Sequence, residues 1–527
     1  MEEKTSPETH NRDGGSRQKI SRRKATIANL VFQYVTIGLT IVSGFVLVPL
    51  YLKYIDFKLY GAWLSTGNII AWLTLVDPGL SDVIRQRTAR FFGAKDFDRM
   101  GKAIATGLLC LVVVGFLPLL VSLTLAPFLP RLFELERNLA GSLSSSFALS
   151  GVMASLVIIA GAAGAVQQGL QRNVVYTSIY VAGAVTGIVV TVWMLVSGYG
   201  LISIPAGLTV RGVIWVIFNW LDILYHCLRR LRIRFALSKD DFIEVGKLTT
   251  WTFLNQVSFH IFGQCDALVV GLVMGPEVTP IFVLSRRAWE LLRMLLHRID
   301  VAFMPGLAHL YGEGDRVKFT TISQRMLRVI GYVLILGVGL YVGLNQTFVS
   351  LWVGTKLYAG MTFDLLMSIS LGAIIFVLAV TKVLFARGVI KGPAIASLIM
   401  YSLRAGLLIP LVWLFGYLGS PISLIIGFGA ATTIYFASQW LKKLNLTAKD
   451  FYTDLLRFAS GLTVAVVLAI LMRQYVVREN LLWFIGCGVV YSAVCITLLS
   501  ILDSNFRQEF YWLIAKFGGR LRPLKSG

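Results

Sequence analysis

The chain has 527 residues, of which 56% are hydrophobic and only 14% are charged, and its formal net charge is +22. Apolar runs of about twenty residues, the length that crosses the hydrocarbon of a bilayer, recur along it and exclude a soluble protein. The five cysteines are scattered among these runs without the spacing of a metal site or a disulfide framework. We therefore predict an all-α, polytopic membrane protein without a cofactor or a metal.

Fourteen candidate membrane-spanning helices follow one another along the chain. They are predicted over 27–52, 60–82, 103–126, 146–168, 174–197, 201–223, 249–274, 278–304, 324–345, 361–382, 393–415, 419–438, 458–476 and 481–502. Lys and Arg concentrate in both tails and in alternate loops, which predicts that both termini are cytoplasmic by the positive-inside rule. The positive charge therefore serves orientation and attraction to lipid headgroups, and it does not indicate a nucleic-acid partner.

A short sequence repeat predicts the organisation of these helices. The triplet Pro-Gly-Leu occurs at 78–80 and again at 305–307, each time where a predicted span ends before a basic segment. Six spans separate the two positions, which indicates two pseudo-symmetric six-helix lobes followed by two C-terminal helices. The predicted parts are a cytoplasmic basic tail (1–26), an N-lobe (27–223), a cytoplasmic basic linker (224–248), a C-lobe (249–438), a cytoplasmic loop with two spans (439–502) and a basic, aromatic cytoplasmic tail (503–527).

Charged residues inside the spans are the strongest functional signal in the sequence. A charge at bilayer depth is costly and must face protein or water, so it usually marks a substrate or ion path. The candidates are Asp266 in the seventh span, Arg286, Arg287 and Arg293 in the eighth, Arg211 in the sixth and Arg404 in the eleventh. This pattern is typical of a transporter.

The eighth span carries its charges on one face. At about 100° per residue, Arg286, Glu290, Arg293, His297 and Asp300 fall within an arc of about 80°. The arginines could bind an anionic substrate there, because the guanidinium fork suits phosphate and stays ionised. Alternatively, the acids and bases of this face pair with one another and only hold helices together.

Asp266 allows two interpretations. As a carboxylate that binds Na⁺ or a proton, it would couple ion entry to substrate exit. As a counter-ion, it would only balance a neighbouring arginine. The sequence does not decide between them.

Several short motifs have an order and spacing that match a known family. They are Tyr60-Gly61-Ala62-Trp63, Asp77-Pro78-Gly79-Leu80, Gln264 and Asp266 ahead of Gly271, Pro305-Gly306-Leu307-Ala308 and Leu351-Trp352-Val353-Gly354. Over nearly its whole length the chain resembles the Wzx-type polysaccharide flippases, of which O-antigen repeat-unit flippases are examples. These are part of the superfamily of multidrug, oligosaccharidyl-lipid and polysaccharide exporters.

The resemblance implies a transporter in the bacterial plasma (inner) membrane rather than an enzyme. Its substrate would be an oligosaccharide linked to undecaprenyl diphosphate, moved by alternating access through a central cavity lined by the arginines named above. An ion gradient of Na⁺ or H⁺ would drive the movement. Membrane lipids and polysaccharide-assembly proteins are the further expected partners.

Other functions fit the sequence less well. A membrane-embedded polysaccharide polymerase or ligase would need a large outward loop, whereas the longest predicted outward loop covers only 126–145. The lipid II flippases carry arginines in their first two spans, and here 27–82 contains none. A multidrug transporter for cationic compounds would be hindered by the arginines. A scaffold without transport activity is compatible with the sequence.

Overall fold

The computed structural model describes residues 38–39, 41–73, 77, 79–239, 242, 265–389, 391–444, 448–475 and 480–508. Every regular element in these ranges is a helix, and nine helices there are long and apolar enough to cross a membrane. The structure confirms an all-helical, multi-pass membrane protein. The chain divides into two compact units, 1–256 and 257–527, and each is described by itself.

The described part of the first unit contains nine α-helices. They are α1 (Ile41–Tyr54), α2 (Phe57–Leu73), α3 (Leu80–Ala94), α4 (Phe97–Gly115), α5 (Leu117–Leu125), α6 (Leu129–Leu132), α7 (Arg137–Gly169), α8 (Asn173–Val196) and α9 (Ser203–Leu224). Helix α7 packs against α3, α4, α5 and α9. Glycines let α8 and α9 approach closely. A Cβ atom on Gly187 would lie only 2.7 Å from the carbonyl oxygen of Gly207, so a larger residue would not fit there. A π-helical turn, Tyr225–Arg230, extends α9.

The described part of the second unit contains ten α-helices. They are α10 (Asp266–Met274), α11 (Thr279–Ser285), α12 (Arg287–Gly312), α13 (Arg316–Val353), α14 (Met361–Ala386), α15 (Lys391–Phe415), α16 (Gly419–Ala431), α17 (Ala437–Leu444), α18 (Ala448–Arg473) and α19 (Leu481–Leu502). Helix α13 packs against α12, α14, α18 and α19, and α15 packs against α10 and α16. The side chain of Asp315 begins α13 by accepting a hydrogen bond from the backbone N–H of Lys318 at 3.0 Å.

Two predicted spans differ from the helices in the structure. The predicted span 60–82 is interrupted at Gly79, which takes a left-handed φ of 93°, and α3 begins at the next residue, Leu80. The eighth span is predicted over 278–304, but two helices, α11 and α12, cover this range and α12 continues to Gly312. A proline removes only one backbone donor, and the chain leaves the helix near Gly314, where φ is 80°. The two Pro-Gly-Leu triplets therefore differ in local structure.

Parts of the predicted organisation lie outside the described residues. These parts include the tail 1–26, the first half of the seventh span and most of the tail 503–527. Within the predicted linker, Tyr225–Arg230 continues helix α9 instead of starting a loop. The predicted domain boundaries stay predictions.

Candidate functional site

Asp266 and Arg404 form a buried ion pair in the second unit. Asp266 is the first residue of α10 and is 4% exposed, and Arg404, midway along α15, is completely buried. Arg404 Nη2 donates to Asp266 Oδ1. The hydroxyl of Ser420, at the start of α16, donates to the same oxygen at 2.6 Å. Arg404 from α15 and Ser420 from α16 thus both donate hydrogen bonds to Oδ1 of Asp266.

Arg286 connects this pair to a second carboxylate. Its Nη1 lies 3.4 Å from Asp266 Oδ2, and its Nη2 lies 2.8 Å from Glu290 Oε1. Arg287 Nη1 lies 3.2 Å from the other oxygen of Glu290. Two carboxylates and three guanidinium groups therefore form one connected ionic cluster, Asp266–Arg404–Arg286–Glu290–Arg287.

Arg286 is positioned by a break between two helices. Helix α11, which starts with Pro280 in its first turn, ends at Ser285, and α12 starts at Arg287. Ser285 Oγ accepts a hydrogen bond from the backbone N–H of Ala359 at 2.7 Å and donates to the carbonyl of Leu357 at 2.9 Å. The turn that carries Arg286 is therefore anchored to the segment before α14.

Arg293 lies beside the ionic cluster without joining it. Its guanidinium carbon is 5.6 Å from the centre of the Trp289 ring, and Trp289 is fixed by a hydrogen bond of 2.7 Å to the carbonyl of Met367. Glu290 and Arg404 are close enough to act on Arg293 electrostatically. Its buried Nε has no hydrogen-bond partner within the described ranges. The buried Nε atoms of Arg211 and Arg387 share this property, and at each of these sites a water or ligand oxygen would satisfy the donor.

The site carries an excess of positive charge. Arg286, Arg287, Arg293 and Arg404 bring four cations, whereas Asp266 and Glu290 bring two anions. Two positive charges are therefore left over. Exposure rises from 0% for the side chain of Arg404 to 16% for Arg286 and 41% for Arg287. The cluster thus has a buried side, where the charges pair, and an accessible edge.

The remaining predicted residues lie as follows. His297 Nδ1 is 3.1 Å from Asp300 Oδ1, so the far end of the predicted charged face is paired within α12. Arg211 belongs to the first unit, where its guanidinium carbon is 4.7 Å from the Trp215 ring centre. Trp215 stacks on Tyr180 with ring centres 4.3 Å apart. Arg211 therefore makes a cation–π contact with Trp215, which is stacked on Tyr180.

The structure shows that Asp266 is in contact with two arginines, which is the arrangement expected of a counter-ion. Its role as an ion-coupling carboxylate stays a prediction. No group of three His, Cys, Asp or Glu side chains that could hold a metal ion occurs among the residues that the structure describes. Binding of a substrate by the guanidinium groups also stays a prediction.

A second buried carboxylate, Asp364, was missed by the sequence reasoning. It lies in the first turn of α14, is completely buried, and accepts hydrogen bonds from Asn345 Nδ2 at 2.7 Å and from the Tyr358 hydroxyl at 2.6 Å. The signal was present, since Asp364 interrupts the tenth predicted span in the way that Asp266 interrupts the seventh.

Comparisons with known proteins agree with the fold and with the family resemblance. The family described as "Polysaccharide biosynthesis protein" matches residues 98–358. The uncharacterized membrane protein EpsK of Bacillus subtilis (strain 168) is 23% identical over 408 residues, which are 74% of this chain and 78% of EpsK.

Solved structures show the same fold. The lipid II flippase MurJ in an inward closed conformation is 14% identical, with a TM-score of 0.65 over 89% of this chain and 99% of its own. An inward-facing multidrug resistance transporter of the MATE family is also 14% identical, with a TM-score of 0.64 over 80% of this chain and 98% of its own. A transporter of the same superfamily from Pyrococcus furiosus has a TM-score of 0.58 at 15% identity, over 80% of this chain and 97% of its own. The chain therefore has the fold seen in the MurJ and MATE transporters.

Proposed function

We propose that this membrane protein, which matches the polysaccharide biosynthesis family and has the fold of the MurJ and MATE transporters, is a flippase. Its substrate is an oligosaccharide linked to undecaprenyl diphosphate, a precursor of a surface polysaccharide such as O-antigen. The protein moves this lipid from the cytoplasmic to the outer leaflet of the bacterial plasma membrane.

The observation that carries this proposal is the charge of the site in the second unit. A diphosphate has about two negative charges, which hydrocarbon cannot accommodate without compensation. The ionic cluster and Arg293 together have two positive charges in excess. The unpartnered Nε of Arg293 adds a donor that a phosphate oxygen can satisfy. Charge and donor geometry therefore both favour an anionic headgroup.

The carboxylates stabilise the arginines of the site when no substrate is bound. Four arginines within spanning segments would repel one another, and Asp266 and Glu290 hold three of them in fixed orientations. A diphosphate that enters at the accessible edge can bind the free donors of Arg287 and Arg293 without first breaking the buried pair of Asp266 and Arg404. The guanidinium groups are thus prearranged for an anion.

The full transport scheme extends beyond this site. We propose fourteen membrane spans, two pseudo-symmetric six-helix lobes that alternate access to the two sides of the membrane, and cytoplasmic termini. An ion gradient drives the cycle. Asp266, the residue predicted for coupling, has both oxygens in contact with cations or a hydroxyl donor, so Na⁺ would have to displace a guanidinium group to reach it. This geometry supports its role as a counter-ion.

Deletion of the gene tests the function in cells. The expected result is loss of surface polysaccharide, with complete lipid-linked repeat units accumulating where only cytoplasmic reagents reach them. Accumulation of single repeat units on the outer surface would instead indicate a polymerase, and unchanged surface polysaccharide would contradict a role in this pathway.

A further inference from the structure

The carboxylate of Asp364 is buried without a cation in contact. Its two oxygens accept from an amide, Asn345 Nδ2 at 2.7 Å, and from a phenol, the Tyr358 hydroxyl at 2.6 Å. Both donors are neutral, and among the described residues no Lys, Arg or His lies within ion-pair distance of Asp364. Burial of a charged carboxylate in such surroundings is costly, and a bound proton removes that cost.

Two further polar groups lie beside Asp364. The Oδ1 atom of Asn345 is buried and makes no hydrogen bond within the described residues. The buried hydroxyl of Tyr341 is placed to form a hydrogen bond with the carboxyl group of Asp364. Asn345 is 1% exposed and Tyr341 is 5% exposed, and they lie one turn apart on α13. Tyr341 is close enough to Asp364 to interact with it electrostatically. A protonated Asp364 has an O–H group to donate, and these two oxygens are the acceptors available to it.

We call Asp364, Asn345, Tyr358 and Tyr341 the Asp364 cluster. The charged side chains nearest to it contact the hydrogen-bond partners of Asp364, not Asp364 itself. On α18, Arg473 Nη2 donates to the Tyr358 hydroxyl at 3.0 Å, and its Nε donates to Gln346 at 3.0 Å, so Arg473 reaches Asp364 only through Tyr358. On the other side, the side chain of Asn345 also donates to the carbonyl of Ser285 at 3.0 Å. Arg286 follows Ser285 directly in the chain, and its partner Glu290 lies in the first turn of α12.

Ser285 therefore connects Asp364 with Asp266. It contacts the Asp364 cluster through its carbonyl, and the next residue, Arg286, contacts Asp266. A change in the hydrogen bonds of Asn345 acts on the turn that positions Arg286. The hydrogen-bonded groups around Asp364 and the ionic cluster around Asp266 thus meet at the same backbone turn, Ser285–Arg286.

We propose that Asp364 is a proton-binding site, distinct from Asp266, and that the gain or loss of its proton shifts the Ser285–Arg286 turn. The proton comes from the aqueous phase, converts the carboxylate to a carboxylic acid, and returns to water on release. The shift changes the hold of Arg286 on an anionic ligand. This last step rests on the proposed function, whereas proton binding by Asp364 does not.

Infrared spectroscopy of the full chain in liposomes tests proton binding directly. In the wild type, a carboxylic acid C=O band should grow as the pH falls through the titration of the site. Asp364→Asn should remove one component of this band, and Asp266→Asn should keep that component. Equal C=O bands in the wild type and Asp364→Asn at every pH where the protein is folded would overturn the proposal.

A matched pair of variants keeps the test valid if Asp364→Asn folds poorly. Tyr358→Phe removes a donor to the charged form of Asp364, so the midpoint of the titration should move upward by about one pH unit. Ser420→Ala removes the corresponding donor to Asp266, at 2.6 Å, and should leave the midpoint unchanged. Equal midpoints in Tyr358→Phe and the wild type would refute the assignment to Asp364.

Binding of undecaprenyl diphosphate across the same pH range tests the connection to Arg286. The affinity of the wild type should change with the same midpoint as the infrared band, and the affinity of Asp364→Asn should not. If the band titrates but the affinity stays constant, the connection through Ser285 is wrong. If the wild type does not bind this lipid at any pH, the proposed function fails and the proton site stands.

Discussion

Asp266 and Asp364 are both buried carboxylates of the second unit, yet their surroundings are opposite. Asp266 contacts two guanidinium groups and one hydroxyl, whereas Asp364 contacts an amide and a phenol. In sequence, each is a single acid within an apolar run. The comparison shows that the partners supplied by packing, and not the apolar run itself, distinguish one buried acid from the other.

The two environments imply different losses of stability when a partner of the carboxylate is removed. Removal of one partner of a buried ion pair leaves an uncompensated charge and typically costs about 3–5 kcal/mol. Loss of a neutral hydrogen bond costs about 1 kcal/mol. Substitutions around Asp266 should therefore destabilise the protein more than substitutions around Asp364.

The largest effect is expected for Arg404→Ala. Arg404 is completely buried, and its loss leaves the charge of Asp266 poorly compensated. The free energy of unfolding in detergent should fall by about 3–5 kcal/mol. Arg298→Ala, which changes an exposed arginine of α12, is the control and should change it little. Equal stability of the two variants would show that Asp266 and Arg404 do not pair.

A double substitution sharpens the assignment of this pair. Asp266→Asn removes the charge that Arg404→Gln would leave behind, so the double variant should be more stable than the sum of the single losses predicts. The interaction energy from the double-mutant cycle should be about 1–3 kcal/mol. A strictly additive cycle would mean that each residue is stabilised by other partners.

Packing against Arg404 should show a smaller effect. A Cβ atom on Gly427 of α16 would lie 3.1 Å from Cβ of Arg404, whereas a Cβ atom on Gly429 would meet nothing within 4 Å. Gly427→Ala should therefore be less stable than Gly429→Ala, because Arg404 would have to shift by a few tenths of an ångström to admit the new methyl group. Thermal unfolding of the two variants decides; a loss confined to Gly429→Ala would contradict the packing of α16 on α15.

The smallest effect is expected on the neutral side of the comparison. Tyr358→Phe removes one hydrogen bond to Asp364 and one from Arg473. Stability should fall by about 1–2 kcal/mol, well below the loss in Arg404→Ala. A loss as large as that of Arg404→Ala would show that Asp364 is held as a charged group in the folded protein.

The sequence predicts some of these features and not others. Apolar runs separated by basic loops predict the helices, and helical periodicity places Arg286 and Glu290 on one face, where the structure pairs them. The contact between Asp266 and Arg404 joins residues that are distant in sequence, so no local pattern reveals it. The ends of helices were also difficult to predict, because Pro305 continues a helix while Gly79 precedes one.

Asp364 was missed for a similar physical reason. Its partner Asn345 ends the ninth predicted span, and Tyr358 lies in the predicted loop before the tenth, where polar residues are ordinary. Only the packing of α13 against α14 brings them to one carboxylate. Arg293 is the converse case, because its place on the charged face was predictable but its stacking on Trp289 was a matter of side-chain packing.

Binding of undecaprenyl diphosphate to purified full-length variants tests the central claim most directly. Arg293 has an unpartnered donor beside the ionic cluster, whereas Arg298 is an exposed arginine on the same helix. Arg293→Gln should weaken binding by about tenfold or more, the effect of losing a hydrogen bond to a charged group. Arg293→Lys should lie between Arg293→Gln and the wild type, and Arg298→Gln should bind like the wild type. Unchanged affinity in Arg293→Gln, or the same loss in Arg298→Gln, would contradict a diphosphate site at this cluster.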